Sequence, residues 1–231
     1  MIGEGSYAHV YKYKDPFYKK TFVVKRAKKE LNEKELERFK IEYESMKKLN
    51  SLYIVEVYSY NEIKKEYYME FMDFTLGDYI NENNAKLSIE KKKNICRQVL
   101  RAFQYIHSKG YFHRDISPSN VLVKAYEDVD VIKISDFGLI KKTNSQLTSI
   151  QTEFKGSFND PTLITDGFQS YNILHETYAL TRVVSFVLTG KTNLNNIQDN
   201  ILKKFINKGL SSNKAERFQS VDELLQARTQ L

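Results

Sequence analysis

The chain has 231 residues, 41% of them hydrophobic and 28% charged, enough to bury roughly 70–75% of its unfolded surface in one large domain or two closely packed lobes. Three prolines, nine glycines and no repeat or low-complexity tract exclude disordered and fibrous classes; no apolar run approaches the roughly 20 residues of a membrane span, and the opening MIGEGSYAHV lacks the regions of a signal peptide. The net charge of +7 suits nucleic acid, a membrane surface, phosphorylated ligands or acidic proteins, but the lysines of KKELNEKELERFK are mixed with glutamates as on a solvated helix face, no compact basic cluster with interleaved aromatics stands out, and neither nucleic acid nor membrane is expected as a partner.

The first 25 residues read as strands: YAHVYKYK alternates, KDPFYKK turns, and TFVVKRA is a second strand. From Asn32 to Leu49 the period becomes helical, with Leu36, Phe39, Tyr43, Met46 and Leu49 three or four residues apart. YIVEVYSYN and KEYYMEFM follow as strands, then a turn near residues 73–77. Ser88 opens a helix, capped through Ser88-x-x-Lys91, whose apolar stripe is Ile95, Val99, Ala102, Phe103 and Ile106. It carries the single cysteine, Cys96, which reads as a small buried hydrophobe; one cysteine permits no internal disulfide and points to a reducing, cytoplasmic compartment. NVLV and VIKIS are strand-like pieces, and helices are expected over 172–188, 201–210 and 221–231. A strand-rich front and a helix-rich back, joined near residues 70–77, give an α+β chain of two lobes with a cleft between them.

Gly3 and Gly5 in GEGSYAHV serve either a tight hairpin or a phosphate clamp, where backbone N–H groups approach phosphate oxygens with no side chain between. Lys25, ending FVVK, is either a snorkelling edge lysine or a cation that neutralises phosphates, held by Glu42 from the following helix. HRDISPSN at 113–120 and DFG at 136–138 narrow these choices. A given tripeptide arises by chance about once in 8,000 positions, so finding both in one short chain is improbable. Asp115, Asn120 and Asp136 supply hard oxygen ligands in loops between short strands, suited to magnesium held through phosphates. Phosphoryl transfer calls for such groups because it needs charge neutralisation and in-line positioning more than covalent chemistry.

In these motifs the chain resembles the eukaryotic-type protein kinases, along nearly its whole length and in the family's order. IGEGSYAHV stands as the glycine loop, VVK as the lysine strand, FKIEYESMKKL as the regulatory helix, YMEFM as the hinge, HRDISPSN as the catalytic loop, DFG as the metal-binding loop and KAERF as the late arginine motif. The resemblance implies a bilobal fold, with a small antiparallel β-rich N-lobe over residues 1–72 and a mainly helical C-lobe over 73–231. It implies ATP and Mg2+ as cofactors and a protein hydroxyl as acceptor. Asp115 is expected to orient that hydroxyl and take its proton, Asn120 and Asp136 to hold magnesium, and Lys25, paired with Glu42, to bind the α- and β-phosphates. Gly3 and Gly5 would cover the phosphates. Ile2, Val10, Val23 and Leu122 would enclose the adenine, with Met69 as gatekeeper and backbone groups of Glu70 and Met72 at the purine edge. His113, Phe137, Met46 and Val57 would stack between the lobes; His107 and His175 have no partner pattern.

Departures from the family pattern are local. Ala8 replaces the third glycine of the loop. Ser117 stands where serine/threonine kinases carry a lysine, and Ser119 where many tyrosine kinases carry an arginine; Pro118 favours serine/threonine specificity. Thr148, Ser149 and Thr152 offer hydroxyls whose phosphate Arg114 would receive. Asn159 to Thr162 replace A-P-E, which leaves Arg217 without its glutamate partner. Glu176 stands where an aspartate caps the catalytic loop. Between Gly190 and Ile201 there is room only for a vestigial helix, and the first strand is too short to pair well. A nucleotide-binding scaffold without catalysis and a small-molecule phosphotransferase are the competing readings.

Overall fold

In the computed structural model, which describes residues 1–5, 7–142 and 158–231, the chain begins with a five-stranded antiparallel sheet. Its strands are β1 (Gly3–Glu4), β2 (Ala8–Lys14), β3 (Thr21–Ala27), β4 (Val57–Asn61) and β5 (Glu66–Glu70), in the order β1-β2-β3-β5-β4. Short as it is, β1 is paired: Gly3 lies opposite Val10 and Glu4 opposite His9, and Ile2 N–H donates to Val10 O at 2.8 Å. Helix α1 (Glu33–Lys48) sits between β3 and β4. Asn32 begins it with a reciprocal capping box, its side chain accepting from Glu35 N while Glu35 accepts from Asn32 N. Phe39, Glu42 and Met46 form its buried face.

Residues 73–77 form more than a turn. They hold β6 (Phe74–Thr75), and Thr75 caps a helix, α2 (Leu76–Asn83), that the sequence reading missed. Helix α3 (Ile89–Ser108) begins as expected, with Ser88 Oγ accepting from Lys91 N at 3.2 Å. It buries Ile95, Cys96, Val99, Ala102, Phe103 and Ile106. Strands β7 (Tyr111–Phe112), β8 (Val121–Ala125) and β9 (Asp130–Ile134) follow, and β10 (Lys141–Lys142) pairs back onto β7. Strand β8 lies between β6 and β9. Beyond them come α4 (Leu163–Asp166), α5 (Ile173–Thr189), α6 (Asn200–Gly209) and α7 (Val221–Ala227), the last continued by a 3-10 turn to Gln230. Helix α5 is buried almost all round, as its unbroken apolar sequence requires.

One hydrophobic core runs from the sheet into the helical part: Phe39, Met46, Val57, Met69, Phe103, Phe137 and Val183 belong to the same cluster. Tyr53 to Val57 tie the two parts together. Ile54 bridges Ile134 in parallel, and Val55 N–H donates to Ile134 O at 3.0 Å. This α+β arrangement, a small antiparallel sheet before a mainly helical body, is the one the sequence motifs implied. No helix among the described residues is long and apolar enough to cross a membrane.

Candidate active site

Strand register assembles one wall of the cleft. In the sheet Val10 lies opposite Lys25, and Lys25 opposite Tyr67; Val23 lies between Lys12 and Met69. Side chains two apart on a strand share a face, so Val23, Lys25, Tyr67 and Met69 face the same side. From α1, Glu42 meets this face. Lys25 Nζ donates to Glu42 Oε1 at 2.6 Å, and Asp136 Oδ2 lies 3.8 Å from the same nitrogen. Tyr67 OH donates to Glu42 Oε1 at 2.7 Å and fixes the carboxylate from behind. Tyr67 escaped the sequence reading, although the alternation of KEYYMEFM places it on the face of Met69.

Burial works against the charge on Lys25, and the carboxylates of Asp136 and Glu42 more than restore it, so its pKa rises to about 12. Burial raises the Glu42 carboxyl, opposed by the Lys25 ammonium. Asp136 feels the same desolvation, but Lys25, His113 and the Gly138 N–H hold it below the usual carboxylate range. These charges make a compact cation–anion cluster at the back of the cleft.

Residues 113–120 lie in bends and turns between β7 and β8. Asp115 and Asn120 are joined: Asn120 Nδ2 donates to Asp115 O at 2.8 Å and to its Oδ2 at 3.0 Å. With its amide nitrogen so used, Asn120 has its Oδ1 left to face a ligand. Arg114 and Asp136 are in the left-handed backbone region, at φ 71° and 62°. For residues other than glycine this costs on the order of 1–3 kcal/mol each, and it is characteristic of sites where side chains must be aimed. His113 is structural, with Nε2 2.9 Å from Ser135 O and its ring 4.8 Å from that of Phe137. Phe137, Met46 and Val57 are buried in the same hydrophobic cluster, and of the expected stack the His113–Phe137 ring contact is seen.

Of the residues expected around a purine, Val23, Met69 and Met72 are buried in the core cluster, Val10 and Leu122 are half-buried against it, and Ile2 is exposed. Glu70 N–H donates to Glu56 O at 2.9 Å. The Glu70 side chain points to Lys133 Nζ, 2.5 Å away, and to Glu56 N–H.

Elsewhere the structure corrects the sequence reading. Arg217 does have a carboxylate: buried Asp160 pairs with its Nη1, while Nε donates to Ser211 O at 2.7 Å and the guanidinium lies over the Tyr178 ring. Asp160 is itself part of N-D-P-T, so the altered segment supplies its own acid one residue type away from the family's glutamate. Burial would raise the Asp160 carboxyl, but Arg217 and the Thr162 N–H keep it low. His107 is also partnered, with Nε2 2.6 Å from Glu176 Oε2. Glu176, in the aspartate's place, does reach the loop as its longer side chain allows, accepting from Arg114 N at 2.8 Å and from Tyr171 OH at 3.0 Å. His175 is buried and caps α5 through Nδ1, which accepts from Asn172 N.

Arg114, the expected phosphate receptor, is partly engaged within the fold and keeps its Nε without a hydrogen-bond partner among the described residues. Its guanidinium lies 4.2 Å from the Phe168 ring centroid and donates to Phe168 O at 3.0 Å, and burial lowers its pKa to about 10. Thr148, Ser149 and Thr152 fall outside the described residues. Ser117 and Ser119 hydrogen-bond to each other at 2.8 Å, so the hydroxyls that replace the family's cation are turned toward one another.

A family model described as protein kinase domain matches residues 1–228. The chain belongs to the protein kinase family. It is 35% identical over 145 residues to the serine/threonine-protein kinase RAD53 of Saccharomyces cerevisiae, covering 61% of this chain and 17% of that protein. It is 35% identical over 160 residues to a probable serine/threonine-protein kinase PknB of Lactococcus lactis, covering 66% of this chain and 25% of that one. It is 32% identical over 155 residues to cell division control protein 2 homolog 2 of Trypanosoma brucei brucei, covering 66% and 44%. The matched stretch is thus less than half the length of each of these relatives.

Proposed function

We propose that the chain is an ATP-dependent protein kinase that transfers the γ-phosphoryl group to a serine or threonine hydroxyl of a protein substrate. The observation that carries this reading is the cluster of Lys25, Glu42 and Asp136, in which a half-buried lysine lies 2.6 Å from one carboxylate and 3.8 Å from another, which together sustain its charge. A lysine kept charged in this way is poised to receive phosphate oxygens. The names of the RAD53 and PknB relatives support serine/threonine specificity, as does Pro118.

The residues fit magnesium. A side chain at Gly138 would stand 3.4 Å from Asp136 Oδ1, so glycine leaves that carboxylate an open flank. One carboxylate and one amide oxygen are the hard oxygen donors that magnesium takes together with phosphates. When bound, magnesium neutralises phosphate charge; Asp136 and Asn120 would hold it. Lys25 would bind the α- and β-phosphates, with Glu42 and Tyr67 fixing its position. Gly3 and Gly5 would admit backbone N–H groups to the phosphates, and Ile2, Val10, Val23 and Leu122 would pack the purine against the backbone of Glu70 and Met72. Asp115, held by Asn120, would orient the acceptor hydroxyl and take its proton.

A scaffold that binds nucleotide without transferring it is the second reading, supported by the Ser117–Ser119 pair, which puts no cation beside the phosphoryl group. Incubation with radiolabelled ATP and a generic protein substrate separates the two. Label on serine or threonine, lost in Asp115→Ala, supports the kinase; label that persists unchanged in Asp115→Ala overturns it.

A further inference from the structure

We infer that the β2–β3 hairpin is a docking element for an anionic phospholipid surface. Sequence reading found no basic cluster with interleaved aromatics, but residues 13–20, YKDPFYKK, form one once the chain turns back on itself. Phe17 is 83% and Tyr18 74% exposed at the tip, flanked by exposed Lys14, Lys19 and Lys20. Few soluble surfaces leave two adjacent aromatic rings so bare.

The hairpin is preorganised. Asp15 N–H donates to Lys20 O at 2.9 Å, Asp15 Oδ1 accepts from Phe17 N at 2.9 Å and Tyr18 N at 2.7 Å, and Lys19 takes a left-handed φ of 56° to close the turn. The one acid of the tip is therefore occupied with the tip's own donors. Lys14, Lys19 and Lys20 form no ion pair within 4.0 Å among the described residues, and against the single Asp15 they leave the tip with a net positive charge.

Charge and shape select the occupant. A convex tip of aromatic rings with lysines at its base matches the boundary between lipid headgroups and acyl chains, where aromatic bodies enter and ammonium groups stay at the phosphates. Single-stranded nucleic acid calls for a basic groove with stacking platforms, whereas Phe17 and Tyr18 stand edge-on to each other at 84°. A second exposed apolar turn, at Ile63, is 94% exposed at the opposite end of the sheet, but it presents one aliphatic side chain and no aromatic pair, and two of its lysines, Lys40 and Lys65, are held by Glu62. The hairpin adjoins the hinge edge, where Phe22 lies opposite Glu70 and Lys12 covers the Phe71 ring at 4.2 Å.

The chain has no tryptophan, so Phe17→Trp places a single reporter at the tip. Its emission is expected to shift to the blue, and the protein to co-sediment, with phosphatidylcholine vesicles containing phosphatidylserine but not with phosphatidylcholine alone. Each lysine at an anionic surface raises partitioning about fivefold, so reversing Lys14, Lys19 and Lys20 to glutamate should abolish binding. Phe17→Ser with Tyr18→Ser should weaken it about tenfold, and Ile63→Ser should leave it unchanged. Absence of binding to the acidic vesicles, equal binding by the hairpin variants, or hairpin-dependent binding of a single-stranded oligonucleotide in place of vesicles would overturn the inference. Kinase activity of these variants in solution should equal that of the wild type, so the outcome is separable from that of the catalytic proposal.

Discussion

Replacing Glu42 by glutamine tests the electrostatic core of the site. The amide keeps the shape and can still accept from Tyr67 OH, but it removes the negative charge 2.6 Å from Lys25 Nζ. Breaking a buried pair ordinarily costs about 3–5 kcal/mol because a charge is left without compensation. Here Lys25 retains Asp136 at 3.8 Å, and burial already raises the Glu42 carboxyl, so that part of the pair's gain is spent on desolvation. The expected loss of folding stability is therefore smaller, about 1–3 kcal/mol, read as a lower urea midpoint at unchanged slope. The effect on transfer is larger. Lys25 would turn toward Asp136, and losing one preorganised charge at the phosphates costs about 2.7–4 kcal/mol of transition-state stabilisation. That is a fall in kcat/KM of about a hundredfold or more, measured as the initial rate of transfer to a generic substrate. A variant with unaltered kcat/KM would refute the argument that this pair positions the lysine.

Asp160→Asn should cost about 3–5 kcal/mol, since Arg217 would stay buried without its carboxylate; a change below about 0.5 kcal/mol in urea unfolding would show that the pair contributes little. Glu176 has a depressed pKa, because His107, the Arg114 N–H and His113 together outweigh its burial. Its contribution to stability is present above the unfolded value near 4.5 and is lost as pH falls through the lower folded value. Glu176→Gln should therefore flatten the acid limb of the stability profile below that point, and an unchanged limb would assign the acid sensitivity to other carboxylates. Ser117→Lys should raise kcat about tenfold with little change in KM for ATP, by supplying a cation beside the transferred group; an unchanged or reduced kcat would show that the missing charge does not limit turnover.

The candidate site was legible because its residues lie in short motifs whose spacing is fixed by loops. Lys25, Glu42, Asp115, Asn120 and Asp136 could all be named in advance, as could the α+β division, because the change from period two to period 3.6 after Ala27 is clear. What was hidden depends on long-range contact. Nothing local pairs Asp160 with Arg217 across 57 residues or His107 with Glu176 across 69. Tyr67 lay within an expected strand, but its role rests on register with Lys25, which only the folded sheet sets. Helix α2 is eight residues long and follows a two-residue strand, too short for periodicity to separate from a turn. The lysines and aromatics of residues 13–20 looked scattered because a hairpin, and not the sequence order, brings them to one tip.

The central claim is that Asp115, placed by Asn120, serves phosphoryl transfer from ATP. Single-turnover transfer of radiolabelled γ-phosphate, measured beside nucleotide binding for wild type and Asp115→Asn, tests it most directly. The account predicts that both proteins bind magnesium-ATP alike while the variant transfers label at least about a hundredfold more slowly. Equal transfer rates in the two proteins, or a wild type that binds nucleotide and transfers nothing, would contradict it.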